Sequence, residues 1–85
     1  MKKVQVYTIT NCPYCERAKA LLRDRSIPFD EVHVDRNDDE QVQELLARSK
    51  MKTFPQIFAG DKLIGGFMEL EALDRGAKLM PLLNS

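Results

Sequence analysis

Residues 3–22 read KVQVYTITNCPYCERAKALL, and the passage from the first half of this stretch to the second decides the fold. Val4 and Val6 alternate with Lys3 and Gln5, and β-branched and aromatic types dominate through Thr8, so it opens as a strand. Pro13 then suits a first helical turn, where its missing N–H costs no hydrogen bond. Tyr14, Ala18, Leu21 and Leu22 fall at helical spacing, with Arg17, Arg23 and Asp24 opposite, which predicts an inward face made of those four. Ser26-Ile27-Pro28 ends the helix. Both cysteines of the chain, Cys12 and Cys15, lie in the turn between the two elements.

Working outward, FDEVHVD (29–35) reads as a second strand, with Val32 and Val34 on one side and Glu31 and His33 on the other. Asn37 or Asp38 caps a second helix, with Glu40 three residues after Asn37 as in a capping box. Its inward face is Val42, Leu45, Leu46 and Ser49. QIFA (56–59) and KLIGG (62–66) are short strands joined by Gly60-Asp61, a hairpin signal. FMELEALDRG (67–76) is a third helix, with Gly76 at its C′ position, and AKLMPLL (77–83) adds a final turn or two. A strand–helix–strand start demands parallel strands, and the closing hairpin adds antiparallel ones. The expected class is α/β: a four-stranded mixed sheet flanked by three main helices, in one domain spanning residues 1–85.

Thirteen basic residues balance thirteen acidic ones, so no overall charge argues for nucleic acid or an anionic membrane. The acidic run VDRNDDEQVQE suits a solvated helix start. The basic cluster Arg48, Lys50 and Lys52 stands just before Phe54-Pro55. MKKVQVYTIT begins with basic residues, but no apolar targeting segment of about 7–15 residues follows. Nothing approaches the roughly 20 apolar residues of a membrane span. The expected location is the cytoplasm, where thiols stay reduced and a cysteine pair suits catalysis or metal binding better than a structural staple.

Four chemistries compete for Cys12 and Cys15. A structural disulfide closing so short a loop restricts the unfolded chain by only about 2 kcal/mol, against about 4.7 for a hundred-residue loop. Zinc needs four ligands, and beyond two thiols the chain offers only His33 on a strand. An iron–sulfur cluster bridging two chains is a third reading, with glutathione completing its ligands. The fourth is thiol–disulfide exchange. A thiol pKa of about 8.5 falls to about 3.5–7.5 at a helix N-terminus or beside cations. Cys12 lies where unpaired N–H groups and the positive dipole end converge. Cys15 is one turn inside, within reach of a mixed disulfide on Cys12, so Cys12 attacks and Cys15 resolves. A C-x-x-C beside a βαβ pattern is a redox signal.

Three motifs, in order and correctly spaced, resemble the dithiol glutaredoxins of the thioredoxin-like fold: CPYC (12–15), TFPQIF (53–58) and IGG (64–66). The resemblance covers nearly the whole chain. It implies a glutathione-dependent thiol–disulfide oxidoreductase with Cys12 as nucleophile, Cys15 as resolving thiol, and Pro13 and Tyr14 shaping the turn. It implies a cis-proline at Pro55, with Thr53 and Phe54 offering backbone to glutathione as an extra strand. Gly65-Gly66 would let the ligand approach, and the helix start at Phe67, Met68 and Glu69 would bind its γ-glutamyl carboxylate, with Glu69 meeting the ammonium. Glutathione is then a co-substrate, with no tightly bound cofactor and no metal. Disulfide-bonded or glutathionylated proteins are the partners, ribonucleotide reductase among the candidates, and the chain acts as a monomer.

Two positions depart from the family. Many glutaredoxins have a lysine where this chain has Ile9, and an acid where it has Met68. Lys50 and Lys52, alternating with Met51 in an extended chain, are the candidates to supply the missing charge beside Thr53. The departures keep a second reading open: a glutaredoxin-like redoxin reduced by thioredoxin reductase and serving ribonucleotide reductase. Such redoxins share a Gly-Phe pair, here Gly66-Phe67, but usually lack CPYC and the Gly-Gly pair.

Overall fold

The computed structural model describes residues 1–85. Strand β1 (Val4–Thr8) runs through the cysteine turn into α1 (Pro13–Asp24), followed by β2 (Phe29–His33) and α2 (Asp39–Ser49). The hairpin β3 (Gln56–Ala59) and β4 (Lys62–Gly65) leads to α3 (Phe67–Arg75) and a short α4 (Leu79–Leu83). The sheet order is β2-β1-β3-β4, with β1 parallel to β2 and the other neighbours antiparallel. This is the expected mixed sheet of four. No helix is long and apolar enough to cross a membrane.

The period-two alternation of β1 builds two cores. Val4 and Val6 join Ile57 and Ala59 of β3 on one face, under Ala18 and Leu22 of α1, Phe67 and Leu70 of α3, and Leu79 and Leu83 of α4. On the other face Tyr7 and Ile9 pack with Val34, Phe58 and Leu45 of α2. A slip of one residue in β1 would exchange the two sets, so both cores fix the register. The cysteine turn leaves the carboxyl end of β1 and enters α1 above the larger core.

Three local expectations are corrected, and one choice between two residues is decided. Tyr14 is not inward: the buried ridge of α1 is Cys15, Ala18, Lys19 and Leu22, and Tyr14, one position before it, is 51% exposed. The cap of α2 is Asp38, whose carboxylate accepts the Gln41 N–H at 3.2 Å, while the Asn37 N–H turns back to Asp35. Gly76 closes α3 at φ −83°, and the left-handed residue is Ala77 at φ 57°. There the Lys78 N–H, two residues past the cap, reaches the Leu73 carbonyl at 2.8 Å, as expected after a left-handed residue. Lys50 does not begin an extended run; it ends α2 at φ 59° with its N–H on the Leu46 carbonyl.

Candidate active site

Cys12 is the N-cap of α1, with extended backbone, and its sulfur accepts the Cys15 N–H at 3.1 Å. The two residues are joined by a disulfide, with Cα atoms 5.2 Å apart. Cys12 is half-exposed and Cys15 is 0% exposed, so an incoming reagent meets Cys12 first. In the reduced chain that N–H and the dipole of α1 favour negative charge on the Cys12 sulfur. Cys15 sits behind it, able to attack only what Cys12 already holds.

The start of α3 forms an adjoining wall. Gly65 has φ +130°, and a Cβ there would lie 2.8 Å from the Glu69 side chain, so any other residue would be strained and would displace Glu69. A Cβ on Gly66 would come within 3.5 Å of the Pro55 carbonyl oxygen, which puts the Phe54-Pro55 segment against this helix start. The Phe54–Pro55 bond is cis. The Tyr14 ring lies 5.8 Å from that of Phe67, tying the cysteine turn to α3, and the Arg17 guanidinium stands 5.4 Å from the centroid of the Tyr14 ring. Met68 is 67% exposed beside them. The three motifs singled out in the sequence therefore meet at one end of the sheet.

Two sets of expected binding groups have local contacts of their own. The Glu69 carboxylate accepts the Gly66 N–H at 2.7 Å through one oxygen, which closes the helix start from within. Lys50 and Lys52 are both exposed, but the left-handed turn at Lys50 separates them, and Lys52 lies along Met51 and Phe54 on the α2 side. Thr53 is exposed and Phe54 half-buried.

Sequence reasoning missed two contributors. Gln56, 1% exposed, donates to the carbonyls of Met51 (3.1 Å) and Thr53 (3.0 Å) and so fixes the loop before Pro55. Lys19, 8% exposed, reaches Glu16 at 2.8 Å and Glu31 at 3.1 Å, and the Thr8 hydroxyl donates to Glu31 at 2.8 Å. The Thr8 hydrogen bond, then Lys19, holds the Glu31 carboxyl below its ordinary range against the opposing effect of burial. Glu16, then Glu31, holds the Lys19 ammonium above its own. A lysine at the spacing Cys15–Lys19, on the buried ridge of a helix beside an edge strand carrying Glu31, was the signal available. Glu16 and Glu31 share with Cys12 and His33 a shallow cleft on the β2 side of the turn, where His33 pairs with the Thr10 hydroxyl at 3.1 Å.

Comparison with known proteins gives a consistent result. The glutaredoxin family profile matches residues 4–64. The chain is 45% identical to glutaredoxin 3 of Escherichia coli K12 over 83 residues, covering 98% of this chain and 99% of that one. It is 43% identical to the glutaredoxin of Brucella melitensis in its solution structure, at a TM-score of 0.83 over 98% of this chain and 89% of the other. A crystal structure of a buckwheat glutaredoxin–glutathione complex matches at 31% identity and a TM-score of 0.83, over 95% of this chain and 76% of that one.

Proposed function

The chain belongs to the glutaredoxin family, with its thioredoxin-like fold, and on that premise we propose that it exchanges thiols and disulfides with glutathione through Cys12 as nucleophile and Cys15 as resolving thiol. The observation that carries this assignment is the unequal exposure of two bonded sulfurs at a helix N-terminus.

The Cys12 thiolate attacks one sulfur of a substrate disulfide. An S–S bond to Cys12 forms, the substrate S–S bond breaks, and the departing sulfur leaves with the electron pair and takes a proton. Two routes then open. The Cys15 thiol loses its proton and attacks the Cys12 sulfur, giving the Cys12–Cys15 disulfide seen here and releasing the second substrate thiol. Alternatively, glutathione attacks the mixed disulfide. Two glutathione molecules return the disulfide form to the dithiol and become oxidised glutathione, so electrons balance over the cycle.

Glutathione is a net anion carrying two carboxylates and one ammonium. The α3 start, with N–H groups at Phe67, Met68 and Glu69, suits its γ-glutamyl carboxylate. The Thr53-Phe54 backbone, held by Gln56, suits its extended peptide, and the buckwheat complex supports the same ligand class. Pro13 and Tyr14 shape the turn above it, and Lys50 and Lys52 supply positive charge at the rim. The chain acts as one monomeric domain in a reducing cytoplasm, on glutathionylated or disulfide-bonded proteins, ribonucleotide reductase among them.

A coupled assay tests this reading, offering glutathione with its reductase, or thioredoxin reductase, as alternative electron sources. Turnover is expected with glutathione. Cys15→Ser is expected to keep reduction of glutathione mixed disulfides and lose most reduction of dithiol-dependent protein disulfides. Turnover supported by thioredoxin reductase alone would overturn the glutathione assignment, and preferential alkylation of Cys15 at acid pH would reverse the two thiols.

A further inference from the structure

The Lys19 cluster is more than a tie between α1 and β2. Glu16 lies one helical turn after Cys12, its N–H on the Cys12 carbonyl at 3.2 Å, and its carboxylate shares the cleft beside Cys12 with that of Glu31. Two carboxylates in one cleft oppose the formation of a thiolate there. Lys19 gathers both: its ammonium stands 2.8 Å from Glu16 and 3.1 Å from Glu31, with only 10% of its side chain exposed. The three groups together carry a formal charge of −1.

We propose that Lys19 is a positioning residue for the thiol chemistry, which by holding Glu16 and Glu31 around one ammonium keeps the cleft beside Cys12 tolerant of the thiolate. This rests on the reading of Cys12 as nucleophile. Deprotonating Cys12 places one negative charge beside a cluster of −1; without Lys19 it places that charge beside −2. The Thr8 hydroxyl and the Lys19 ammonium also both donate to the Glu31 carboxylate. The remaining groups facing this side are His33 from β2, paired with Thr10, and the Cys15 N–H on the Cys12 sulfur. From α3, the Glu69 carboxylate accepts the Gly66 N–H.

The test uses a Cys15→Ser parent, which leaves one thiol, and needs no glutathione. Iodoacetamide is neutral, and the thiolate displaces iodide from it as the S–C bond forms. Its rate against pH therefore reports the thiolate fraction of Cys12. Three variants change the cluster charge: Lys19→Met to −2, Lys19→Met with Glu31→Gln to −1, and Glu31→Gln to 0. His33 is present in all and leaves their order unchanged. At low salt, below the midpoint, Lys19→Met is expected to slow alkylation about three- to tenfold, a midpoint rise of roughly 0.5–1 pH unit for partly exposed charges. The double variant is expected to return to within about twofold of the parent, and Glu31→Gln alone to exceed it. A role confined to packing would move the midpoints without regard to charge. An unchanged midpoint in Lys19→Met, or shifts of one sign in all three, would overturn the proposal. Should Lys19→Met alone fail to fold, Glu31→Gln and the double variant still differ only at Lys19, and equal midpoints in that pair would overturn it. Failure of wild-type turnover with glutathione would sink the proposed function and leave this charge order standing.

Discussion

Helices α1 and α2 begin in the same way with different atoms. At α2 the Asp38 carboxylate accepts the N–H of the residue three ahead, Gln41, at 3.2 Å. At α1 the Cys12 sulfur accepts the N–H of the residue three ahead, Cys15, at 3.1 Å. Both side chains fill the N-cap position and answer the same unpaired donor. The oxygen at α2 belongs to a carboxylate whose contact serves the helix. The sulfur at α1 is a poorer cap, and on the proposed reading of Cys12 as nucleophile the same N–H and helix dipole favour its thiolate. What lies beneath the two helices differs accordingly. The buried residues of α2 are Leu45 and Ser49, whereas α1 buries Lys19 between carboxylates of two elements.

The largest effect expected from this comparison comes from making the α1 cap resemble that of α2. Cys12→Ser puts a better capping atom in the same place, so the reduced variant is expected to unfold no earlier than the reduced parent. Exchange is expected to fall to the uncatalysed background, because no accessible sulfur remains. Thermal unfolding in reductant and turnover with a glutathione mixed disulfide read the two halves. Residual turnover would mean that Cys15, buried as it is, reacts directly.

The reciprocal change is Asp38→Ala. Loss of an N-cap costs about 0.5–2 kcal/mol, and for a domain of this size about 4–8 °C in Tm per kcal/mol. Exchange by the folded fraction is expected to be unaltered, since α2 packs under the opposite face of the sheet. A fall in turnover measured well below Tm would break the separation between a cap that stabilises and a cap that reacts.

The sequence carried the sheet, the helices and the position of the cysteines, since these depend on residue spacing that is visible along the chain. The alternation in β1 marked the first strand and the Gly60-Asp61 turn marked the hairpin, but not the register shift between Ile57 and Phe58. Helix ends were less legible. Ser26, Lys50 and Ala77 take the left-handed conformation that glycine usually advertises, and Gly76 stands one residue too early. Tyr14 was misassigned because in a first turn one residue of offset carries a side chain from the ridge to the rim. The Lys19–Glu31 pair was hidden because lysine reads as solvent-facing and its partner lies on another element.

Acid titration reads the same contrast more finely. The folded Glu31 carboxyl titrates below its unfolded range, held there by Thr8 and Lys19, so the stability it contributes is present above the unfolded value. That stability is lost as pH falls through the lower, folded value. Asp74, held low by Arg25 at 2.8 Å, acts in the same direction. Lys19 is raised, so its contribution persists below its unfolded value and is lost only as pH rises through the higher, folded one. Glu31→Gln is therefore expected to lower stability at neutral pH and to flatten the acid limb of the stability curve. A carboxyl resonance of Glu31 titrating in the ordinary glutamate range would remove the basis for this.

At the far end of α2 the question is charge. If Lys50 and Lys52 draw glutathione toward a site that has Ile9 in place of the family lysine, their joint replacement by alanine is expected to raise the glutathione KM. Exposed pairs contribute about 0.2–1 kcal/mol, so the rise should be below roughly tenfold, and smaller in high salt. Ile9→Lys added to the double variant is expected to restore the KM. Salt-independent, unchanged kinetics would leave both lysines as a solvated helix end.

The smallest effect concerns the backbone at Lys50 itself. Its φ of 59° is a conformation that costs an L-residue roughly 1–2 kcal/mol, while glycine enters it freely but loses about 0.5–1 kcal/mol more backbone entropy on folding. The two effects leave Lys50→Gly with an expected net gain of about 0.5 kcal/mol, or about 2–4 °C in Tm. Lys50→Ala is the control, because it removes the same charge and keeps the same strain; its stability should match the parent. The pair separates what the sequence analysis had joined, the charge of Lys50 from its geometry. A glycine variant no more stable than the alanine variant would show that the left-handed turn is imposed by the Leu46 carbonyl contact and the packing of Ser49 at little local cost. A gain confined to glycine would instead identify the end of α2, unlike its capped beginning, as a place where the chain retains strain.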